Sequence, residues 1–278
     1  MPLLIYNTLQ QMFKRLFSKQ NHALLSELVR TDFKLRYQGS VLGYTWSLLR
    51  PLLMFVILYV VFVKFLKVGN GVPNYPIYLL LGLVMWNFFM EMTMQSTTCI
   101  VGRGDLVRKI KIPRWMIVFA TSLSALINLG LNLVVVAIFM AISHTKILSS
   151  TPLIIPSLVE IYVFALGISF FLAALFVRFR DVSYVWEVGM QAGFYITPVF
   201  YPLSKIPNIT LQKLIMLNPL AQAMQDVRFS AVTHESVTSF GLFHNDIYAY
   251  APFALVILIV IIGVSFFRRE SKYFAENI

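Results

Sequence analysis

The chain has 278 residues, of which 58% are hydrophobic and only 13% charged. Soluble domains carry about 25% charge, so a soluble globule of this composition would expose large apolar patches; with a mean hydropathy of +0.75 the chain reads as an integral membrane protein. The net charge is +11, and the single Cys99 leaves no partner for an internal disulfide or a cysteine-based metal site.

In chain order, residues 3–35 are amphipathic. Ile5, Leu9, Met12, Phe13, Leu16 and Phe17 recur with helical period, and Leu24, Leu25, Leu28 and Val29 continue it after a polar break at 18–21. This pattern predicts a helix lying in the membrane interface, either a plain anchor or a gate beside a transport path. Residues 1–45 are accordingly read as an interface region and 46–278 as one transmembrane domain. A bilayer core needs roughly 20 apolar helical residues, and six stretches qualify: 46–66, 75–94, 116–142, 153–177, 183–202 and 249–267. No signal-peptide pattern is seen before the first.

Orientation follows from the flanking cations. With six spans, seventeen lysines and arginines fall on the side of both termini and six on the other. Both termini are therefore expected in the cytoplasm. The basic charge is read as membrane topology rather than a nucleic-acid face.

Two connecting segments stand out. The cytoplasmic loop 102–115 is basic and punctuated by Gly and Pro, yet carries Leu106, Val107, Ile110 and Ile112. A positive-inside loop explains the charge; a short helix docked on another protein explains the apolar residues. The loop 203–248 is far longer than the other external loops. It contains apolar pieces at 211–217 and 221–230, too short to span, which suit re-entrant or surface helices. Asn208-Ile-Thr fits a glycosylation sequon weakly.

Acids inside spans are candidates for function because they are costly there. Glu91 and Glu187 sit near predicted cytoplasmic ends, where Lys or Arg can pair with them; Glu160 is deeper in span four. Without an intervening His or Lys the three make a poor proton relay. The sequence has no P-loop, no H-E-x-x-H and no G-x-S-x-G. His22 and Glu27 are read as a solvated polar face, while a catalytic role for His244-Asn245-Asp246 on the outer side has nothing in the sequence to support it. The fold expected is an all-α integral membrane protein: six transmembrane helices, an amphipathic N-terminal interface helix, and re-entrant or surface helices between spans five and six.

The segment from Arg30 to Pro51, with Arg36-Tyr37, Ser40, Leu42-Gly43, Trp46 and Pro51, resembles the approach to the first span in ABC-2 type permeases that export polysaccharides. That family includes the O-antigen, teichoic acid, rhamnan and capsule exporters. The loop 102–115, where the family has its coupling helix, and Asn218-Pro219-Leu220 in a long outer loop agree with it. The segments at 34–40 and 101–106 lean toward the rhamnan or teichoic acid branch, with O-antigen close behind.

The resemblance implies a permease subunit, not itself an enzyme, in a bacterial cytoplasmic membrane. It implies a homodimer served by two copies of a separate ABC ATPase that binds ATP and Mg, with no cofactor in this chain. The cargo implied is a glycan on a polyprenyl diphosphate lipid. Arg30, Lys34, Arg36 and Gly43 are then expected at a lateral opening near the diphosphate, and Asp105, Leu106, Ile110 and Ile112 against the ATPase. Two aromatic ladders, Phe55, Tyr59 and Phe62 on span one and Phe194, Tyr195 and Tyr201 on span five, are expected along the glycan path, since sugar C–H faces pack on aromatic planes. Ordinary packing or an aromatic belt is the competing account. The alternative functions are a permease for drugs or other small molecules and, less favoured, a membrane acyl- or glycosyltransferase.

Overall fold

Helices make up every regular element among the described residues of the computed structural model, which are 19–37, 39–40, 42–43, 45–109, 112–145, 148–244 and 246–274. The apolar residues expected between Ile5 and Phe17 lie outside them. Helix α1, Lys19–Tyr37, runs through the polar residues 19–21. Its Leu28 is buried against Met116 and Ala120, with Leu24, Leu25 and Val29 packed around it.

Helix α2, Thr45–Leu58, continues as a π-helix over Tyr59–Phe65, so Leu66 N–H donates to the Val61 carbonyl. Helix α3, Tyr75–Thr98, is buried along most of its length. An all-round apolar helix of this kind belongs at the centre of a bundle, and its neighbours are α5, Arg114–Ile142, and α6, Ile154–Arg178. Between α3 and α5 lies the short α4, Gly104–Lys109. Helix α11, Ala251–Glu270, packs on α6 so closely that a methyl on Gly263 would overlap the Gly167 carbonyl. Small residues allow such contact where lipid supplies no hydrophobic drive between helices.

Among the described residues, five helical stretches are long and apolar enough to cross a membrane: Thr45–Phe65, Tyr75–Thr98, Arg114–Ile142, Thr151–Arg178 and Ile247–Tyr273. The remaining expected span, 183–202, is not one continuous helix. Helix α7 covers Val182–Ile196, about 22 Å at 1.5 Å per residue, short of the roughly 30 Å hydrocarbon core. The cause is local. Thr197 precedes Pro198 and is extended, with φ −76° and ψ 138°, because the proline ring disfavours helical backbone in the residue before it.

The segment after the break holds α8, Ile209–Met216, α9, Pro219–Ala231, and α10, Ser239–Leu242. Asn208 caps α8 by accepting from the N–H groups of Thr210 and Leu211. The Asn218-Pro219-Leu220 motif is also a helix start. The Asn218 side chain accepts from Leu220 N–H at 3.0 Å, and Pro219 occupies the first turn, where no N–H is needed. Although α9 carries Gln222, Gln225 and Arg228, all three are buried, and the helix packs against α3, α6 and α11.

Candidate functional site

At the end of the bundle holding α1 and α4, an ion pair joins Asp32 of α1 to Arg103, in the 3-10 turn Val101–Arg103 that leads into α4. Each side chain is only about 15% exposed, and burial lowers the Arg103 guanidinium from its ordinary pKa. The pair ties the N-terminal helix to the loop between α3 and α5. In α4, Asp105 is exposed in the first turn, where a carboxylate suits the helix dipole. Leu106 belongs to the helix, but its side chain lies outside the described residues, as does the whole of Ile110. Ile112 is partly buried on the α1–α5 cluster around Leu28 and Met116, so its apolar character is met within the chain.

Arg30 and Lys34 are exposed on α1; Arg36 is in the same helix, with its side chain outside the description. Gly43 has φ +47°, a left-handed conformation that costs little only for glycine. Its N–H faces the Ser40 carbonyl at 3.3 Å and hydroxyl at 3.2 Å. This turn joins α1 to α2.

The aromatic residues of α2 and α7 meet. Phe62 lies 4.6 Å from Phe200, which is 5.5 Å from Phe194, and Phe194 is 5.8 Å from Trp86 of α3. Phe55 is buried against Phe139 of α5 at 5.6 Å, and 5.9 Å from Tyr59. Tyr195 is 67% exposed, while the Tyr201 hydroxyl donates to the Ile196 carbonyl at 2.8 Å. Phe200, outside both expected ladders, is the residue that connects the two sets. The π-turn rotates the residues after Leu58 relative to a regular helix, so the helical spacing of Phe55, Tyr59 and Phe62 does not fix their common face.

Of the acids, Glu91 accepts from Asn128 Nδ2 at 2.6 Å and Gln95 Nε2 at 3.2 Å: side-chain amides of α3 and α5 hold it. Glu187 is exposed on α7. Glu160 lies beside Gln222 and Asp226 of α9, and Gln222 donates to Asp226.

The residue that sequence reasoning missed is Arg228, counted there as one cation of an outer loop. It is fully buried. Its guanidinium donates to the carbonyls of Pro198 at 2.5 Å, Val199 at 2.6 Å and Tyr78 at 3.1 Å, and lies 3.7 Å over the Tyr78 ring. Buried backbone carbonyls outside a helix need donors from elsewhere in the protein, and Arg228 supplies them for the break after α7. A methyl on Gly82 would overlap that guanidinium. The available signal was the spacing of Gln222, Gln225 and Arg228, three residues apart and so on one helical face.

The family model of the ABC-2 type transporters matches residues 23–231. The chain belongs to that family. Relatives are similar over nearly their whole length. An "O-antigen export system permease protein RfbA" of Myxococcus xanthus is 28% identical over 264 residues, 93% of this chain and 96% of the relative. Two proteins of the same name from Klebsiella pneumoniae are 28% identical over 261 residues and 27% over 258, each aligning with 91% of this chain and 94% of the relative. The matched region runs from α1 to the end of α9, so it includes the Asp32–Arg103 pair and the Arg228 staple.

Proposed function

We propose that this chain is the membrane-spanning permease subunit of an ATP-driven polysaccharide exporter, moving a lipid-linked glycan of the O-antigen class across a bacterial cytoplasmic membrane. The observation that carries this reading is full-length similarity to permeases named for O-antigen export within an ABC-2 type family. In this reading α7 with its broken end completes six crossings, both termini are cytoplasmic, and α8 and α9 form a re-entrant pair on the outer side. A homodimer works with two ABC ATPase subunits, which bind ATP and Mg. The ATPase docks at α4 through Asp105, Leu106 and Ile110, with Ile112 linking that contact to α1. A polyprenyl diphosphate approaches Arg30, Lys34 and Arg36 beside the Gly43 turn, and the glycan passes the aromatic residues of α2 and α7.

The test is copurification of an ABC ATPase with the full-length chain, followed by ATPase measurement with added lipid-linked glycan. Stimulation by the lipid-linked glycan is the expected result. Stimulation by small hydrophobic drugs, with none by the glycan lipid, would overturn the reading in favour of a drug permease.

A further inference from the structure

The end of the bundle opposite α1 and α4 contains a cavity of about 160 Å³. Its walls come from three stretches far apart in sequence: the turn at 71–72, the segment 202–205 after the helix break, and the turn 233–237 after α9. Tyr78 and Gln225 contribute to the lining, and the Tyr78 hydroxyl donates to Gln225 Oε1 at 3.2 Å. Gln225 is 1% exposed, so its carboxamide is a fixed rather than a floppy surface group. Ser236 is also a lining residue, and its Oγ is buried with no hydrogen-bond partner among the described residues.

The lining selects the occupant. Lys205 and Glu235 contribute one charge of each sign, and the other polar groups are hydroxyls and an amide. A phosphate calls for converging cations and a metal ion for several carboxylates; neither is present in the lining. Neutral donors and acceptors around a small apolar patch suit a polyhydroxylated ring. We propose that this cavity is an outer subsite for one neutral sugar unit of the exported glycan. The subsite rests on the reading of the chain as a glycan permease and adds to it a contact after translocation. Because the walls include the segment that follows the α7 break, a bound sugar bridges that break to the start of α3.

The experiment uses the full-length chain with its ATPase in membranes and the substitution Ser204→Cys, on the exposed rim, in a Cys99→Ala background. Labelling by a membrane-impermeant maleimide is timed with and without oligosaccharides released by mild acid from the surface polysaccharide of the same cells. At a ligand concentration several times its dissociation constant, labelling slows about five-fold, while Ser143→Cys, exposed at the outer end of α5, is unaffected. Lys205→Cys, also on the exposed rim, gives the same reading if the Ser204 variant misfolds. Unchanged labelling overturns the subsite, and slowing by glycerol 3-phosphate instead of oligosaccharide overturns it in favour of a lipid headgroup. Glycan export by the unsubstituted chain is measured in the same cells. Export without protection removes the subsite alone; no export removes the permease reading and the subsite with it.

Discussion

The Arg228 guanidinium stands 3.7 Å from the centroid of the Tyr78 ring, and its N–H groups reach the carbonyls that the break after α7 leaves open. One side chain of α9 thus fastens the first turns of α3 to the end of α7. A guanidinium suits this place because its donors form a planar fork while its face stacks on an aromatic ring.

Replacing Arg228 with Leu takes the donor from the buried Pro198 and Val199 carbonyls, while the Tyr78 carbonyl, inside α3, keeps its helical N–H. At about 1–3 kcal/mol for each unsatisfied group, the purified chain loses several kcal/mol of stability. The melting temperature then falls by on the order of 10 °C. Arg228→Lys retains the charge without the fork and falls between. Gly82→Ala damages the same place from the other side, at about 1–3 kcal/mol for overpacking, whereas Gly130→Ala, with open space around its Cβ position, is neutral or slightly stabilising. Thermal scans of detergent-solubilised protein check the series; a wild-type melting temperature for both Arg228→Leu and Gly82→Ala would remove the structural role assigned to Arg228.

The Asp32–Arg103 pair predicts a charge-swap result. Arg103→Ala leaves Asp32 without its partner in a partly buried position, a loss of about 1–2 kcal/mol once solvent screening is allowed for. The α1 helix should then become more sensitive to protease, and Asp32→Arg combined with Arg103→Asp should restore resistance. Equal cleavage of wild type and both single variants would show that the pair does not hold α1.

For the aromatic residues, burial separates packing from transport. Phe55→Ala removes a buried ring and should cost about 3–5 kcal/mol, so lost export there is not informative. Tyr195 is 67% exposed, and Tyr195→Ala should leave stability, assembly and basal ATPase activity intact while lowering glycan export several-fold. Full export by that variant would withdraw Tyr195 from the path.

Burial pushes the Cys99 thiol up to about 12. Only the thiolate reacts with alkylating reagents. Since the pKa is raised, the thiolate fraction is very small at pH 7 and grows about ten-fold per pH unit. Alkylation of the native chain should therefore keep accelerating from pH 7 to pH 10. An ordinary thiol levels off near its pKa of about 8.5, and a plateau there would refute the shift.

Much of this architecture was legible in the chain itself. Long apolar stretches have one low-energy form in lipid, the helix that satisfies its own backbone, so five spanning stretches could be read from length and hydropathy. Asn218-Pro219 marked a helix start because cap and proline chemistry act over three or four residues. Thr197-Pro198 likewise marked where α7 had to stop, although apolar length alone carried the expected span past it. The family resemblance was carried by the segment around Gly43, whose backbone adopts a conformation that few other residues tolerate.

Local sequence did not decide which partners distant groups would find. Arg228 looked like a loop cation because its acceptors are 29 to 150 residues away. Glu91 looked ready for Lys or Arg, yet the crossing of α3 with α5 brings Asn128 to it. The π-turn after Leu58 altered the phase that helical spacing assumed, and Phe200 joined the two aromatic sets only once the chain had turned back after Pro198. The sequence by itself determined composition, helical form, spans and local caps, which follow from solvent and short-range backbone chemistry. Tertiary structure alone decided how the broken end of α7 is satisfied, which acids meet amides, and that a polar cavity forms between three separated turns, because each depends on contacts that exist only after the helices have packed.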